Sequence, residues 1–142
     1  MRFSVIGAGS WGTTLAHLFG LNGHQVRLWA LEPEVVEGIN NRHQNPFFVP
    51  DLSLSANVEA TIDLDFACGN PDGVLFAVPS NHLRTVAKKI APALKNCPRI
   101  LNAAKGLEHD SGKRLSEVLA EALGDQVDSE SDRVANDRVA IL

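Results

Sequence analysis

Three glycines near the start of the chain have the spacing of an anion-binding turn. Gly7, Gly9 and Gly12 follow the apolar run 3–6 and precede a stretch with helical periodicity. In such a turn the first glycine permits a sharp bend, the second leaves room for phosphate beside the backbone, and the third lets the helix approach the strand. The helix N-terminus adds unpaired N–H groups that favour negative charge. The pattern predicts a turn that binds the pyrophosphate of a dinucleotide; the alternative is a glycine-rich turn without a ligand.

An acidic residue stands where a dinucleotide would place its adenosine ribose. Glu32 lies about 20 residues beyond the glycine turn, at the end of the second predicted strand, where a carboxylate can hold ribose hydroxyls. Glu32 also has the position of a helix N-terminal carboxylate, because Pro33 suits the first helical position. Both roles can hold at once. No arginine stands at position 30 or 31 to pair with a 2′-phosphate, which favours NAD over NADP.

One lysine has a position that suggests chemistry. Lys105 comes just after a predicted strand and is followed by Gly106. Ligands of open α/β sheets bind outside the carboxyl ends of the strands, so a cation there can meet a substrate. The alternative from the residues alone is a solvated loop lysine.

The elements that must position these residues alternate between strands and helices. The stretch 2–29 has the pattern of a strand at 2–6, a glycine turn, a helix ending at Gly23 and a second strand at 25–29. Later strands are predicted at 57–61, 73–78 and 99–102, a short helix within 62–68, and longer helices from 83 to 94 and from 112 to 123. This order predicts an α/β fold, a Rossmann-type doubly wound, mainly parallel sheet with helices on both faces.

Two loops are expected to border the ligand. Pro79 follows the predicted strand 73–78, and Ser80 or Asn81 is expected to cap the next helix. The loop 40–50 is rich in asparagine and proline, which favours irregular structure, but it carries the adjacent aromatic residues Phe47 and Phe48. These rings either cap the core beneath the loop or line the cofactor cleft.

Composition narrows the classes of partner. The chain has 142 residues, 44% of them hydrophobic, enough for one core of ordinary size. A net charge of −4 without a basic stripe argues against nucleic acid. Cys68, Cys97 and the five histidines lack the spacing of a metal site or a disulfide framework. No apolar run has the length of a signal peptide core or a membrane span, so we expect a soluble cytoplasmic protein without membrane insertion.

Six sequence blocks in the same order resemble a known family. Together they are similar to the N-terminal domain of bacterial NAD(P)-dependent glycerol-3-phosphate dehydrogenase, from residue 1 to about 127 and again at "VAIL". The blocks are "VIGAGSWGTTLA" (5–16), "GHQVRLW" (23–29), "NPFFVPDLSL" (45–54), "FAVPS" (76–80), "AAKGLE" (103–108) and "EALGDQV" (121–127).

The resemblance implies a reaction and several contacts. The family reduces dihydroxyacetone phosphate to sn-glycerol 3-phosphate with NAD or NADP, for phospholipid synthesis, and a homodimer is possible for the full-length protein. Ser10, Trp11, Leu31 and Phe48 match cofactor contacts of the family. Lys105 matches a lysine that touches both cofactor and substrate, so the resemblance makes it the catalytic candidate. Leu31 departs from the arginine or histidine frequent there, which leaves the choice between NAD and NADP open.

The resemblance also implies an incomplete set of domains. We predict an NAD(P)-binding domain at 1–127, a charged loop or linker at 128–138 and the start of a further strand at 139–142. The family's helical substrate domain, with a second catalytic lysine and the phosphate-binding groups, is absent from this sequence. Two alternatives stay open: a non-catalytic dinucleotide-binding module, and a β-hydroxyacid or ketopantoate-type reductase that would prefer a carboxylate substrate.

Overall fold

A parallel β-sheet forms the centre of the molecule. The computed structural model describes residues 1–124 and 139–141, and within them six strands pair in the order β3-β2-β1-β4-β5-β6, every pair parallel. This order is that of the dinucleotide-binding doubly wound sheet, so the predicted fold class is confirmed. The strands are β1 (Arg2–Ile6), β2 (Gln25–Trp29), β3 (Val58–Thr61), β4 (Gly73–Phe76), β5 (Ile100–Asn102) and β6 (Val139–Ile141).

Helices cover both faces of the sheet because successive strand residues point to opposite sides. On one face Val5 and Leu75 pack with buried residues of α1 and α2. On the other face Ile6 and Phe76 pack with buried residues of α3, α4 and α5. The helices are α1 (Ser10–Leu21), α2 (Pro33–Arg42), α3 (Leu64–Ala67), α4 (Ser80–Ile90) and α5 (Leu115–Ala122).

The predicted cap of α4 is wrong. Pro79 is the N-cap residue, with an extended backbone (φ −56°, ψ 145°), and helical geometry begins at Ser80. Ser80 and Asn81 therefore lie inside the first turn, and neither makes a capping hydrogen bond.

Both cysteines belong to the core beneath α4 and α5. Cys68 and Cys97 are buried thiols, and burial, with the negative charge of Asp65 as a smaller cause, raises the pKa of Cys68 to about 12. Such a thiol is a small apolar core residue rather than a nucleophile. Among residues 1–124 and 139–141, no cluster of histidine, cysteine and carboxylate side chains could hold a metal ion. The same residues contain no helix both long and apolar enough to cross a membrane.

The segment expected to be a linker, 128–138, lies outside the described residues. The strand expected after it forms β6, which pairs parallel with β5 at the edge of the same sheet. The division of the chain into separate units stays a prediction.

The three glycines of the turn differ in what surrounds them. A Cβ on Gly12 would lie 1.9 Å from the Gly7 carbonyl oxygen, and one on Gly7 would lie 2.7 Å from the Ala77 oxygen. Gly7 also has a φ of +112°, which side chains rarely adopt. A Cβ on Gly9 would meet no atom within 4 Å. Packing therefore accounts for glycine at two positions, and at the third the space is open.

Alanine at positions 12 and 9 should separate these effects. Gly12→Ala should destabilise the fold by about 1–3 kcal/mol, because the helix must move away from the strand. Gly9→Ala should cost less than about 1 kcal/mol, because its φ of −66° suits alanine and only the preference for glycine at a helix N-cap is lost. Chemical denaturation of both variants measures the difference, and equal losses would contradict this account of the turn.

Candidate functional site

One cavity of about 640 Å³ opens at the carboxyl ends of the strands. It lies above β1, β2, β4 and β5, the edge where ligands of doubly wound sheets bind. The structure brings all ten residues predicted from the sequence to the lining of this cavity. They are Gly7, Gly9, Ser10, Trp11, Gly12, Leu31, Glu32, Phe48, Pro79 and Lys105.

The turn after β1 aims a helix N-terminus at the cavity. The Gly7 N–H donates to the Trp29 carbonyl (3.1 Å), which fixes the end of β1 against β2. The Thr13 N–H donates to the Gly9 carbonyl (2.9 Å), and the N–H groups that precede it in the first turn have no intrahelical acceptor. Unpaired N–H groups beside an open Gly9 suit an anion.

An aromatic loop, residues 44–50, forms one wall of the cavity. Phe48 lines the cavity and is 40% exposed, and its carbonyl accepts a hydrogen bond from the Ser10 hydroxyl (3.0 Å). Phe47 is 57% exposed. Phe48 thus has the predicted position in the wall of the cleft, whereas Phe47 is not among the residues that line the cavity, and neither ring is buried in the core.

Two polar residues buried behind the turn were not among the site residues predicted from the sequence. Asn45 and Thr13 are both fully buried, and each hydrogen-bonds to the Ala8 carbonyl, at 2.9 and 3.0 Å. The sequence carries only a weak signal for Asn45, since an asparagine before proline in a loop favours a turn closed by its side chain. The Asn45 oxygen closes such a turn by accepting from the N–H groups of Phe47 and Phe48. Its long-range partners have no signal in one sequence.

Glu32 stands at the N-cap of α2 but makes no capping hydrogen bond. Its backbone is extended (φ −91°, ψ 120°), and Pro33 begins the helix as expected. The half-buried carboxylate instead lines the cavity at the end of β2, beside Leu31, which is 71% exposed. Its side chain is thus available to a ligand.

Lys105 is exposed on the loop that follows β5, the lysine loop, residues 103–108. Next to it, Gly106 adopts a φ of +96°, a conformation that favours glycine, and a Cβ there would meet no atom within 4 Å. Asn102 fixes the start of the loop, since its amide accepts from the Ala104 N–H (3.1 Å) and donates to the Ala104 carbonyl (3.2 Å).

A network of charged side chains fixes the other end of the lysine loop. Arg84 of α4 donates two hydrogen bonds to Glu108, at 2.7 and 2.8 Å, and a third nitrogen lies 2.9 Å from Glu121 of α5. Ser111 donates to Glu108, and Lys113 pairs with Glu121. The Arg84 and Ser111 bonds lower the pKa of Glu108 to about 2, and the two carboxylates raise the pKa of Arg84. The loop is therefore attached to two helices by a fork-like ion pair.

Fold and site together define a dinucleotide-binding domain of the doubly wound class, with a glycine turn at a helix N-terminus and an acidic residue at the end of β2. A family profile described as NAD-dependent glycerol-3-phosphate dehydrogenase N-terminus matches residues 2–130. Over 126 residues the chain is 46% identical to an NAD(P)+ glycerol-3-phosphate dehydrogenase of Latilactobacillus sakei. The chain therefore belongs to the NAD(P)-dependent glycerol-3-phosphate dehydrogenase family.

Solved structures agree with this family. A glycerol-3-phosphate dehydrogenase from Coxiella burnetii superposes with a TM-score of 0.78 at 32% identity, over 87% of this chain and 38% of that one. A ketopantoate reductase from Ralstonia eutropha is less similar, with a TM-score of 0.68 at 26% identity over 85% of this chain and 38% of that one. The Latilactobacillus match covers 87% of this chain and 37% of that protein. The chain thus spans well under half the length of its relatives.

Removing the charge of Glu108 should change how stability depends on pH. The pKa of Glu108 falls from an ordinary 4.5 to about 2 on folding, so its ionised form stabilises the fold above pH 4.5, and this contribution disappears as the pH falls towards 2. The melting temperature of Glu108→Gln should therefore lie furthest below that of the wild type near neutral pH, and the two should converge in acid.

A matched variant controls for the loss of a carboxylate. Glu37 is exposed on α2, so Glu37→Gln should change the melting temperature little near neutral pH. A deficit in Glu108→Gln that stays constant from pH 7 to pH 3 would contradict the stabilising role of the ion pair.

Proposed function

We propose that this chain binds NAD(H) or NADP(H) along the carboxyl edge of its sheet. We also propose that the whole protein interconverts dihydroxyacetone phosphate and sn-glycerol 3-phosphate. The observation that carries the proposal is that the glycine turn, the ribose-binding candidate Glu32 and the reactive candidate Lys105 line one cavity. Family membership supplies the substrate class.

The residues present fit a dinucleotide. The open space beside Gly9 and the helix N-terminus suit a pyrophosphate, which needs donors and room rather than side chains. Glu32 suits the ribose hydroxyls on the β2 side, and the absence of arginine at positions 30 and 31 favours NAD. Pro79 and Lys105 then border the end of the cofactor on the β4 and β5 side.

Lys105 supplies the charge that the reaction needs at its carbonyl. A bound nicotinamide ring provides the hydride that converts a ketone into an alcohol. The Lys105 ammonium stabilises negative charge as it develops on the carbonyl oxygen, or holds the adjacent hydroxyl, and the bare backbone of Gly106 leaves room for the substrate. The chain spans well under half the length of its relatives, and we assign to the length that it does not cover the groups that hold the substrate phosphate and donate a proton.

The proposal extends to setting and assembly. We assign the whole protein to phospholipid synthesis in the cytoplasm, in line with its family, and to a homodimer. The alternative reductase is disfavoured, because both the family profile and the more similar solved structure point to glycerol-3-phosphate dehydrogenase. The remaining alternative is a nucleotide-binding module that has no catalysis of its own.

A valine at position 9 tests the cofactor site. Gly9→Val should abolish measurable NADH binding by this chain, because the side chain enters the space assigned to the pyrophosphate. Fluorescence titration with NADH and with NADPH measures both affinities and the preference between them. Ala56→Val, at an exposed position just before β3 on the opposite edge of the sheet, is the control and should keep binding. Equal NADH binding by wild type and Gly9→Val would refute the assignment.

Lys105 is tested in the full-length protein. Lys105→Met should lower turnover of dihydroxyacetone phosphate by about a hundredfold to a thousandfold, the usual effect of removing one preorganised electrostatic contact. Thermal stability should not change, because the lysine is an exposed loop residue. Lys89→Met, on an exposed position of α4, is the control and should keep normal turnover. Near-normal turnover in Lys105→Met would make it a solvated loop residue, and absence of turnover in the wild type would favour the non-catalytic module.

A further inference from the structure

The side chain of Asn45 is fully buried and uses its whole hydrogen-bonding capacity. A primary amide has two N–H donors and two oxygen lone pairs. The Asn45 nitrogen donates to the Ala8 carbonyl and to the Thr13 hydroxyl, both at 2.9 Å. Its oxygen accepts from the N–H groups of Phe47 and Phe48, both at 3.2 Å. One amide thus joins the glycine turn to the aromatic loop.

The bonds to the Ala8 carbonyl determine the direction of the peptide group that joins Ala8 to Gly9. The Ala8 carbonyl accepts from Asn45 (2.9 Å) and from the Thr13 hydroxyl (3.0 Å), and both donors are fully buried. The chain contains no cis peptide among the described residues, so the C=O of Ala8 and the N–H of Gly9 point in opposite directions. With the carbonyl held towards the interior, the Gly9 N–H points to the cavity side of the turn.

The bonds to the loop determine the position of Phe48. Its N–H is held by Asn45, and its carbonyl accepts from Ser10, the first residue of α1. The backbone on both sides of this ring is therefore attached to the turn and to the helix that follows it.

We infer that Asn45 is a positioning residue for dinucleotide binding, which acts from behind the cavity through Ala8 and the aromatic loop. It aims the Gly9 N–H at the pyrophosphate and holds Phe48 against the same ligand. The inference rests on the proposed function of the cavity as a dinucleotide site. It adds a residue that touches no ligand but sets two of the groups that do.

Asn45→Asp separates the bonds that Asn45 makes to the glycine turn from those that it makes to the aromatic loop. An aspartate has nearly the same shape, and its oxygens can still accept from Phe47 and Phe48. When ionised it has no donor for the Ala8 carbonyl, and it places a negative charge behind the anion site. The affinity of the 142-residue chain for NADH should fall by about tenfold to a hundredfold, the effect of losing hydrogen bonds that orient a charged ligand. Fluorescence titration with NADH measures the change.

Asn40→Asp is a matched control. The Asn40 amide also uses both its nitrogen and its oxygen, donating to the Ala60 carbonyl (2.9 Å) and accepting from the Ala60 N–H (2.8 Å). Asn40 does not line the cavity. Both variants should lower the melting temperature, and only Asn45→Asp should weaken NADH binding. The Gly9 amide resonance should also shift on addition of ADP-ribose in the wild type and in Asn40→Asp, and much less in Asn45→Asp.

Thr13→Val keeps the test decisive if Asn45→Asp does not fold. Valine preserves the shape of threonine and removes the hydroxyl that donates to the Ala8 carbonyl and accepts from Asn45, so NADH affinity should fall about threefold to tenfold. The inference is overturned if folded Asn45→Asp and Thr13→Val bind NADH as the wild type does, or if Asn40→Asp loses as much affinity as they do. Failure of the wild-type chain to bind NADH would instead refute the proposed cofactor site.

Discussion

The close approach of α1 to β1 is the contact on which the site depends. Gly12 leaves room for the carbonyl of Gly7, and any side chain there would separate helix from strand. Because the helix starts so near the end of β1, its N-terminus opens onto the carboxyl edge of the sheet, where the strands β4 and β5 also end. One edge of the cavity is therefore set by a close backbone contact between Gly7 and Gly12.

The walls of the cavity are held by polar contacts that lie away from its surface. Asn45 attaches the aromatic loop to the glycine turn, Asn102 fixes the start of the lysine loop, and Arg84 with Glu108 fixes its end. In each case a side chain outside the lining of the cavity determines the position of a loop that contributes to that lining. Such buried or half-buried hydrogen bonds give the loops defined positions, which binding and catalysis require.

The sequence predicted the sheet and the lining of the cavity better than it predicted their supports. Apolar runs and glycines are local signals, so β1, β2 and the glycine turn were predicted with their observed bounds. The cap of α4 was not, because Pro79 and Ser80 both suit a helix start and only the backbone angles distinguish them. Asn45 and Glu108 were missed as supports because their partners are distant in the chain, at separations of 37 and 24 residues. The roles assigned to the ten lining residues stay predictions.

The strand order divides the sheet into two similar halves, each a strand, helix, strand, helix and strand. In this comparison α4 corresponds to α1: each begins at a serine, after Pro79 in one half and after Gly9 in the other. The lysine loop after β5 likewise corresponds to the segment after β2 that carries Glu32. A proline nitrogen carries no hydrogen, so the second half lacks the donor that the first half offers at the equivalent place. The two halves thus share one arrangement of elements but differ in what they bring to the cavity: a helix N-terminus at Gly9 in the first and the Lys105 side chain in the second.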